Sequence, residues 1–321
     1  MGCRVIAVLL LAAAPAPAAG LDASALEALR AIDLRLATIA HRLVIGNVAL
    51  CRDRSPATGL VLHAATQYDA ATAGAARATF GFSTPIAVEA VVAGSAGARA
   101  GIAANDGIVA LEETKLVATA TPPSSIDRDR ALDLFEQASS PVRVTIDRGG
   151  ARRPVAIDAP AACRARFEVL LGPEMTAQSD GRIVQIGVRF FERYRDDEVA
   201  VVVAHELAHT ILRHRVRLEA AGVKGGLLGE LGRNARLGQQ AETEADELGV
   251  ALLYNAGYDV ASAARFWRER GGDIDGGLFR SRTHPATKQR IEAIERAAAA
   301  VPARRPYLPA ILATRDQPFG K

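Results

Sequence analysis

At 321 residues the chain is long enough for two domains of roughly 100–200 residues each. Its apolar fraction of 49% is ordinary for a globular protein with a core. The formal charge of +3 comes from arginines scattered among acidic residues, with lysine only at Lys115, Lys224, Lys288 and Lys321; without a basic block and interleaved aromatics, nucleic-acid binding finds no support.

The first twenty residues, MGCRVIAVLLLAAAPAPAAG, have a basic start, an apolar run and a small-residue end. That is the layout of a cleaved secretory signal, with the cut near Ala18 or Ala19. The alternative, a short membrane anchor, is opposed by Pro15 and Pro17 and by an apolar stretch under about 20 residues. Cys3 precedes the apolar run, where a lipid-attachment cysteine does not sit. No other segment reaches spanning length, so the mature chain is expected to be exported, in the periplasm or cell envelope, with no stable membrane span. Signal removal leaves Cys51 and Cys163, which an oxidising compartment is expected to pair; the alternative is two free buried thiols.

Residues 22–45 space Leu26, Leu29, Ile32, Leu36, Ile39 and Leu43 as an amphipathic helix, with Asp22 or Ser24 as its cap. His41 on this helix and His63 beyond it are read as structural. From 76 to 158 short strands alternate with glycine turns, and PVRVTIDR and RRPVAIDAP form a hairpin across Gly149-Gly150. Gly94-Ser95-Ala96 through Asp106-Gly107-Ile108 resembles the motif of bacterial PDZ domains, with Ala96 for the usual proline and Asn105-Asp106 for the usual Gly-Asp. The resemblance implies a module that takes an extended or C-terminal peptide as an added strand, its end held by a tight loop. Thr79-Phe80-Gly81-Phe82 resembles that loop, which makes Phe80, Gly81 and Phe82 peptide-binding candidates; the alternative is a strand with a bulge.

After Cys163 come two strands, the second at 182–187, then a helix from Val188. Helices are expected over 196–217 and 239–255, joined by glycine-rich GVKGGLLGELG, which a lid over the cleft would suit. A last helix is expected over 285–300, then an irregular tail.

The segment VVVAHELAHTILRH puts three polar residues into an apolar helix. His205 and His209, four apart, share a face and can converge on one ion, and imidazole suits Zn²⁺. Glu206 then reaches a water on the metal rather than the metal. A glycine three residues after His209 and a histidine six after it would mark the longer zinc motif, but Leu212 and Arg215 stand there. His214, read on a continuous helix, points away from the pair and is taken as solvated or structural. In QAETEADELG, Glu242 and Asp246 are four apart: Glu242 fits as third ligand and Asp246 as the group that holds a ligating histidine, while Glu244 and Glu247 read as solvated.

His205-Glu206-x-x-His209, Glu242-x-x-Ala245-Asp246, then His284-Pro285 and Arg290 resemble the HtpX/BepA and CAAX-prenyl-protease family of gluzincin-type zinc metallopeptidases, over about residues 22–50 and 164–300. The resemblance implies one Zn²⁺ per chain on His205, His209 and Glu242. It places His284 near the metal as a second catalytic candidate and Arg290 in support. The fold class expected is α+β: a mainly helical zincin-type domain with a small sheet, plus a PDZ-like β-rich domain inserted after the N-terminal helix. The divisions are a signal over 1–19, a helix and connection over 20–75, a PDZ-like domain over 76–160, a peptidase domain over 161–301 and a tail over 302–321. The activity implied is endopeptidase action on unfolded or misassembled envelope polypeptides, paired along the strand GRIVQIG. Two other readings stand beside it: a latent metallopeptidase acting as a peptide-binding or chaperone-like protein, and a structural zinc site, which needs four protein ligands.

Overall fold

The computed structural model describes residues 20–223, 232–275 and 287–319. The signal segment 1–19, most of the glycine-rich connection, and His284 with Pro285 lie outside the described residues.

Helix α1 (Ala23–Gly46) starts at Asp22, whose Oδ1 accepts from the Ala25 amide at 2.8 Å. That satisfies an amide with no partner inside the helix. The chain then runs through β1 (Arg54–Pro56), β2 (Leu60–Ala64), α2 (Ala73–Phe80), β3 (Ile86–Val91), α3 (Ala96–Arg99), β4 (Gly107–Leu111) and β5 (Thr114–Lys115). Next come α4 (Ile126–Gln137), β6 (Val142–Arg148) and β7 (Ala151–Ile157). Strands β2-β3-β4-β6-β7 pair in that order, all antiparallel, with β5 on β4. Helix α4 covers one face, where Leu62, Ile86, Val88, Ala131, Phe135 and Ile146 form a core of their own. The β6/β7 hairpin turns at Gly149 and Gly150, with φ of 60° and 86°, a region glycine enters at no steric cost.

Strand β8 (Ala161–Cys163) returns to pair with β1, Arg54 opposite Cys163. Beside this pair Cys51 and Cys163 form a disulfide across 112 residues. Closing a loop of that size removes about 5 kcal/mol of unfolded-state entropy in the chain-entropy picture. The bond staples the whole β-rich excursion at its base.

The peptide-loop reading of residues 79–82 is overturned. Helix α2 runs to Phe80, which is 1% exposed in an aromatic cluster with His63, Tyr68 and Phe82. Gly81 is the left-handed cap of that helix (φ 57°), and its N–H already donates to Arg77 O at 3.0 Å. Its backbone ends a helix and has no amide left for a ligand.

Beyond the disulfide, β9 (Arg166–Leu170), β10 (Ala177–Ser179) and β11 (Ile183–Gly187) form a small sheet in the order β10-β11-β9. The pairing strand GRIVQIG is therefore central rather than an edge: β11 is parallel to β9 on one side and antiparallel to β10 on the other. Helices α5 (Val188–Arg193), α6 (Asp196–Ile211), α7 (His214–Ala220), α8 (Gly232–Asn255), α9 (Ala261–Asp275) and α10 (Thr287–Ala299) complete the chain. The main core joins Leu43 of α1 to Val203 and Leu207 of α6, Leu252 of α8 and Trp267 of α9. Helix α6 is apolar nearly all round because neighbours cover it nearly all round.

Two expectations about the helical part are corrected. The helix over 196–217 breaks at Leu212, and Arg213 adopts a left-handed φ of 56° before α7 starts in a new direction. The tail is not wholly irregular: Ala310–Asp316 forms a 3-10 helix, and Phe319 is buried against Leu237 and Ala241 of α8. The chain is thus a mixture of helix and sheet, α+β. Among the described residues no helix is long and apolar enough to cross a membrane.

Candidate metal centre

Asp196, Asp197 and Glu198 open α6 at the positive end of its dipole, and Glu198 accepts from the Arg195 amide at 3.0 Å. From there the helix passes through the core, carrying His205, Glu206 and His209 into the interior. It packs closely on α8: a Cβ added at Gly249 would stand only 3.7 Å from His205 Cα. That approach brings Glu242 of α8 opposite the two histidines.

The three donor groups converge. His205 Nε2 and His209 Nε2 are 3.1 Å apart, and Glu242 lies 3.3 Å from the first and 3.5 Å from the second. A tetrahedral centre with bonds of about 2.0–2.1 Å has ligand–ligand edges of about 3.3 Å. The three side chains therefore fit a zinc-sized divalent ion. No other cluster of His, Cys, Asp and Glu among the described residues meets at one point in this way.

Each histidine is held from behind. His205 Nδ1 donates to Asp246 Oδ1 at 2.9 Å, which frees Nε2 to face the centre. Asp246 is gripped in turn by Arg290 through Nη2 at 2.8 Å and Nε at 2.7 Å. Arg290 is 4% exposed and stacks 3.6 Å above the Trp267 ring, so its charge is sandwiched rather than solvated. Burial and Arg290 push the His205 imidazole down, but the Asp246 and Glu242 carboxylates outweigh them and hold it up at about 9. The same carboxylates favour a cation at the centre. Burial drives His209 well down, so its ring is neutral and able to ligate.

His214 is the finding the sequence concealed. On a continuous helix five residues turn through about 140° beyond a full revolution, so it would face away from His209. The break at Leu212 and Arg213 folds it back instead: its Nδ1 lies 2.9 Å from His209 Nδ1, and it is 1% exposed. Its Nε2 meets Glu244 at 3.2 Å, and Glu244 is buried, not solvated, with Arg217 at 2.5 Å and Gln240 at 2.9 Å. Burial would raise the Glu244 carboxyl, but hydrogen bonds from His214 and Arg217 hold it down at about 2. The charged carboxylate accepts His214 Nε2–H, which leaves His214 Nδ1 to accept from His209 Nδ1–H. The C-terminal segment seals this row, with Phe319 beside His214 and its ring 3.9 Å from the Arg217 guanidinium.

Glu206 is buried on α6 next to His205. Glu247 is half-buried, and His41 and His63 lie away from the centre. Phe80 and Phe82 belong to the aromatic cluster under α1, and Gly81 between them caps α2.

Two histidines one helical turn apart, a glutamate from the facing helix and a buried glutamate beside the first histidine define a metallopeptidase-type site. Comparison with known proteins agrees. Residues 227–298 match the model of peptidase family M48, a span that holds Glu242, Asp246 and Arg290. Over 121 residues the chain is 29% identical to the mitochondrial metalloendopeptidase OMA1 of Schizosaccharomyces pombe. That alignment covers 31% of this chain and 36% of the relative, so only about a third of the relative's length is matched. Together these similarities support a metallopeptidase that uses a divalent metal.

Proposed function

We propose that the chain is an exported zinc endopeptidase of the HtpX/BepA kind, cutting unfolded or misassembled cell-envelope polypeptides, with its β-rich unit acting as a PDZ-like module that selects or regulates substrates. The observation that carries the catalytic reading is the convergence of His205 Nε2 and His209 Nε2, 3.1 Å apart, on the Glu242 carboxylate, whose Oε2 lies 3.3 Å from the first and Oε1 3.5 Å from the second. His205, His209 and Glu242 would hold a zinc ion, which would supply a Lewis acid to acidify water and polarise a carbonyl. Glu206, buried beside His205, is the residue that would accept a proton from water and pass it to the departing amine. Asp246 and Arg290 keep His205 aimed at the centre, and His214 does the same for His209. The outer strand β10 is tied to α6 where Ser179 Oγ meets Thr210 Oγ1 at 2.8 Å, so its free edge is the one beside the catalytic helix along which an extended substrate pairs. Support for export is the leader-like start of the sequence and the Cys51–Cys163 disulfide, a bond of oxidising compartments. Support for the module is the β3-turn-α3-β4 segment and the free edge of β2 beside α4.

Substrate capture with the Glu206→Gln variant tests the reading, alongside zinc content of the purified protein. The expected result is one zinc per chain in both proteins, with intact envelope polypeptides held by the variant and fragments released by the wild type. If both hold the same intact polypeptides and neither yields fragments, the protein is a peptide-binding one and not a working peptidase.

A further inference from the structure

A cavity of about 730 Å³ lies where α1, the edge strand β2, α4 and β9 meet. It wraps round the free edge of β2. On one face Leu60 and Leu62 pack with Leu132 and Phe135 of α4; on the other His63 turns to Tyr68 and Phe80. Among the carboxylates that line the cavity are Asp33 of α1 and Glu89 of β3. Glu89 is only 7% exposed, and neither group has a hydrogen bond or an ion pair among the described residues.

The guanidinium Nη groups of the cations nearby already have partners, although Arg30 Nε has none among the described residues. Arg128 of α4 pairs with Asp129 at 2.7 Å and with Glu168 of β9 at 2.5 Å. Arg30 of α1 pairs with Glu27 at 3.5 Å and with Asn105 at 2.7 Å. Asp33 and Glu89 are therefore left without a base of their own among the described residues. Burying a carboxylate costs several kcal/mol unless a partner offsets it. Burial, with the Asp33 charge next, pushes Glu89 up to about 8 against the pull of Arg30 and Arg128; Glu27 adds to the rise. Burial likewise lifts Asp33 to about 6 despite Arg128, with Glu168 adding to it.

We propose that this cavity receives a lysine or arginine side chain from an extended peptide that adds as a strand to β2, with the basic group seated between Asp33 and Glu89. The inference rests on the peptide-module reading and names the sequence such a module selects. Side chains of an added strand alternate between its two faces. The residues flanking the basic one then fall beside Leu132 and Phe135, so the preferred segment reads apolar, basic, apolar. Asp33 belongs to the helix that also packs on α6 and α8, so the bound side chain touches the peptidase part and the β-rich part at once.

The test uses the full-length Glu206→Gln protein, which binds without cutting, and fluorescence anisotropy of two labelled decapeptides. One alternates valine and alanine around a central lysine, and the other carries glutamine in its place. At pH 8.5 the lysine peptide is expected to bind about tenfold tighter or more, the size of one charge-assisted pair. The preference is expected to shrink at pH 5.5, where Glu89 keeps its proton and Asp33 is protonated in the larger part of the molecules, and to fall towards unity with added Glu89→Gln or Asp33→Asn. Both substitutions preserve shape and remove an unpartnered charge, and a melting curve verifies folding of each. Equal affinity for the two peptides, or a preference untouched by both substitutions, overturns the proposal while leaving the peptide module standing. Binding of neither peptide removes the module reading and the proposal with it; neither outcome bears on the peptidase reading, which the zinc and fragment measurements decide.

Discussion

The metal centre and the junction cavity both bury carboxylates, yet they treat them in opposite ways. At the centre Asp246 is bonded to His205 and Arg290, and Glu244 to His214, Arg217 and Gln240. In the cavity Asp33 and Glu89 have no hydrogen-bond or ion-pair partner among the described residues. The first arrangement is organised before any ligand arrives, because Asp246 and Glu244 find their partners within the chain itself. The second leaves its charge for something else to satisfy. A preorganised centre suits chemistry, and an unsatisfied cavity suits selection.

The largest effect comes from testing the first half of that contrast. Glu206→Gln keeps the size of the side chain and leaves His205, His209 and Glu242 in place. Turnover of an unfolded substrate is expected to fall by about 10²–10⁴-fold, the usual contribution of general acid–base catalysis. Zinc content measured on the same sample is expected to be unchanged. Loss of zinc together with activity would mean that the centre depends on Glu206 for its assembly and is less preorganised than its hydrogen bonds indicate.

The disulfide joins the two regions, so removing it asks whether they share their stability. Replacing Cys51 and Cys163 together by alanine is expected to cost up to about 5 kcal/mol, read as a lower urea midpoint. If the β-rich and helical parts depend on each other through α1, the whole transition moves. A single displaced phase beside an unmoved one would show two independent units.

A smaller effect is expected at His214, where the centre's preorganisation is least obvious. His214→Leu removes the acceptor for His209 Nδ1–H and leaves Glu244 and Arg217 paired. Zinc affinity, measured by chelator competition, is expected to drop by about 10–100-fold, as for other groups that orient a ligating histidine. His214→Gln can still accept from His209 and donate to Glu244, so it is expected to recover most of the loss. A purely structural role predicts lower melting temperatures in both variants and unchanged affinity.

That residue also marks the limit of what the sequence discloses. His205, His209, Glu242 and Asp246 were legible because each pair is four apart on a helix, a spacing that fixes a shared face without knowledge of anything distant. His214 and Glu244 were not, since their meeting depends on Arg213 turning left-handed, and neither glycine nor proline stands there to announce it. The residues 79–82 misled for a related reason. A glycine flanked by phenylalanines suits a ligand loop and a helix cap equally, and only the aromatic packing of Phe80 and Phe82 on His63 and Tyr68 decides between them. Strand β10 escaped because three residues carry no readable period. Local periodicity crossed into the site; contacts made by tertiary folding did not.

The smallest effect tests the unsatisfied half of the comparison without any ligand. Both cavity carboxyls hold their protons to higher pH in the folded chain than in the unfolded one: Glu89 to about 8 against 4.5, and Asp33 to about 6 against 3.8. The folded state therefore binds more protons over that range, and stability falls as pH rises through it. Glu89→Gln is expected to flatten the decline between about pH 4.5 and 8, and Asp33→Asn the part below about 6, in melting temperatures recorded against the wild type. Asp33→Asn should also flatten part of the upper range, because the Asp33 charge helps to raise Glu89. Above pH 8 the Glu89→Gln protein should be the more stable of the two, the reverse of what removing a partnered carboxylate does. The corresponding change at Glu244, whose carboxyl is held down at about 2, is expected to destabilise at every pH above about 4.5, so the two glutamates answer the same substitution with opposite signs.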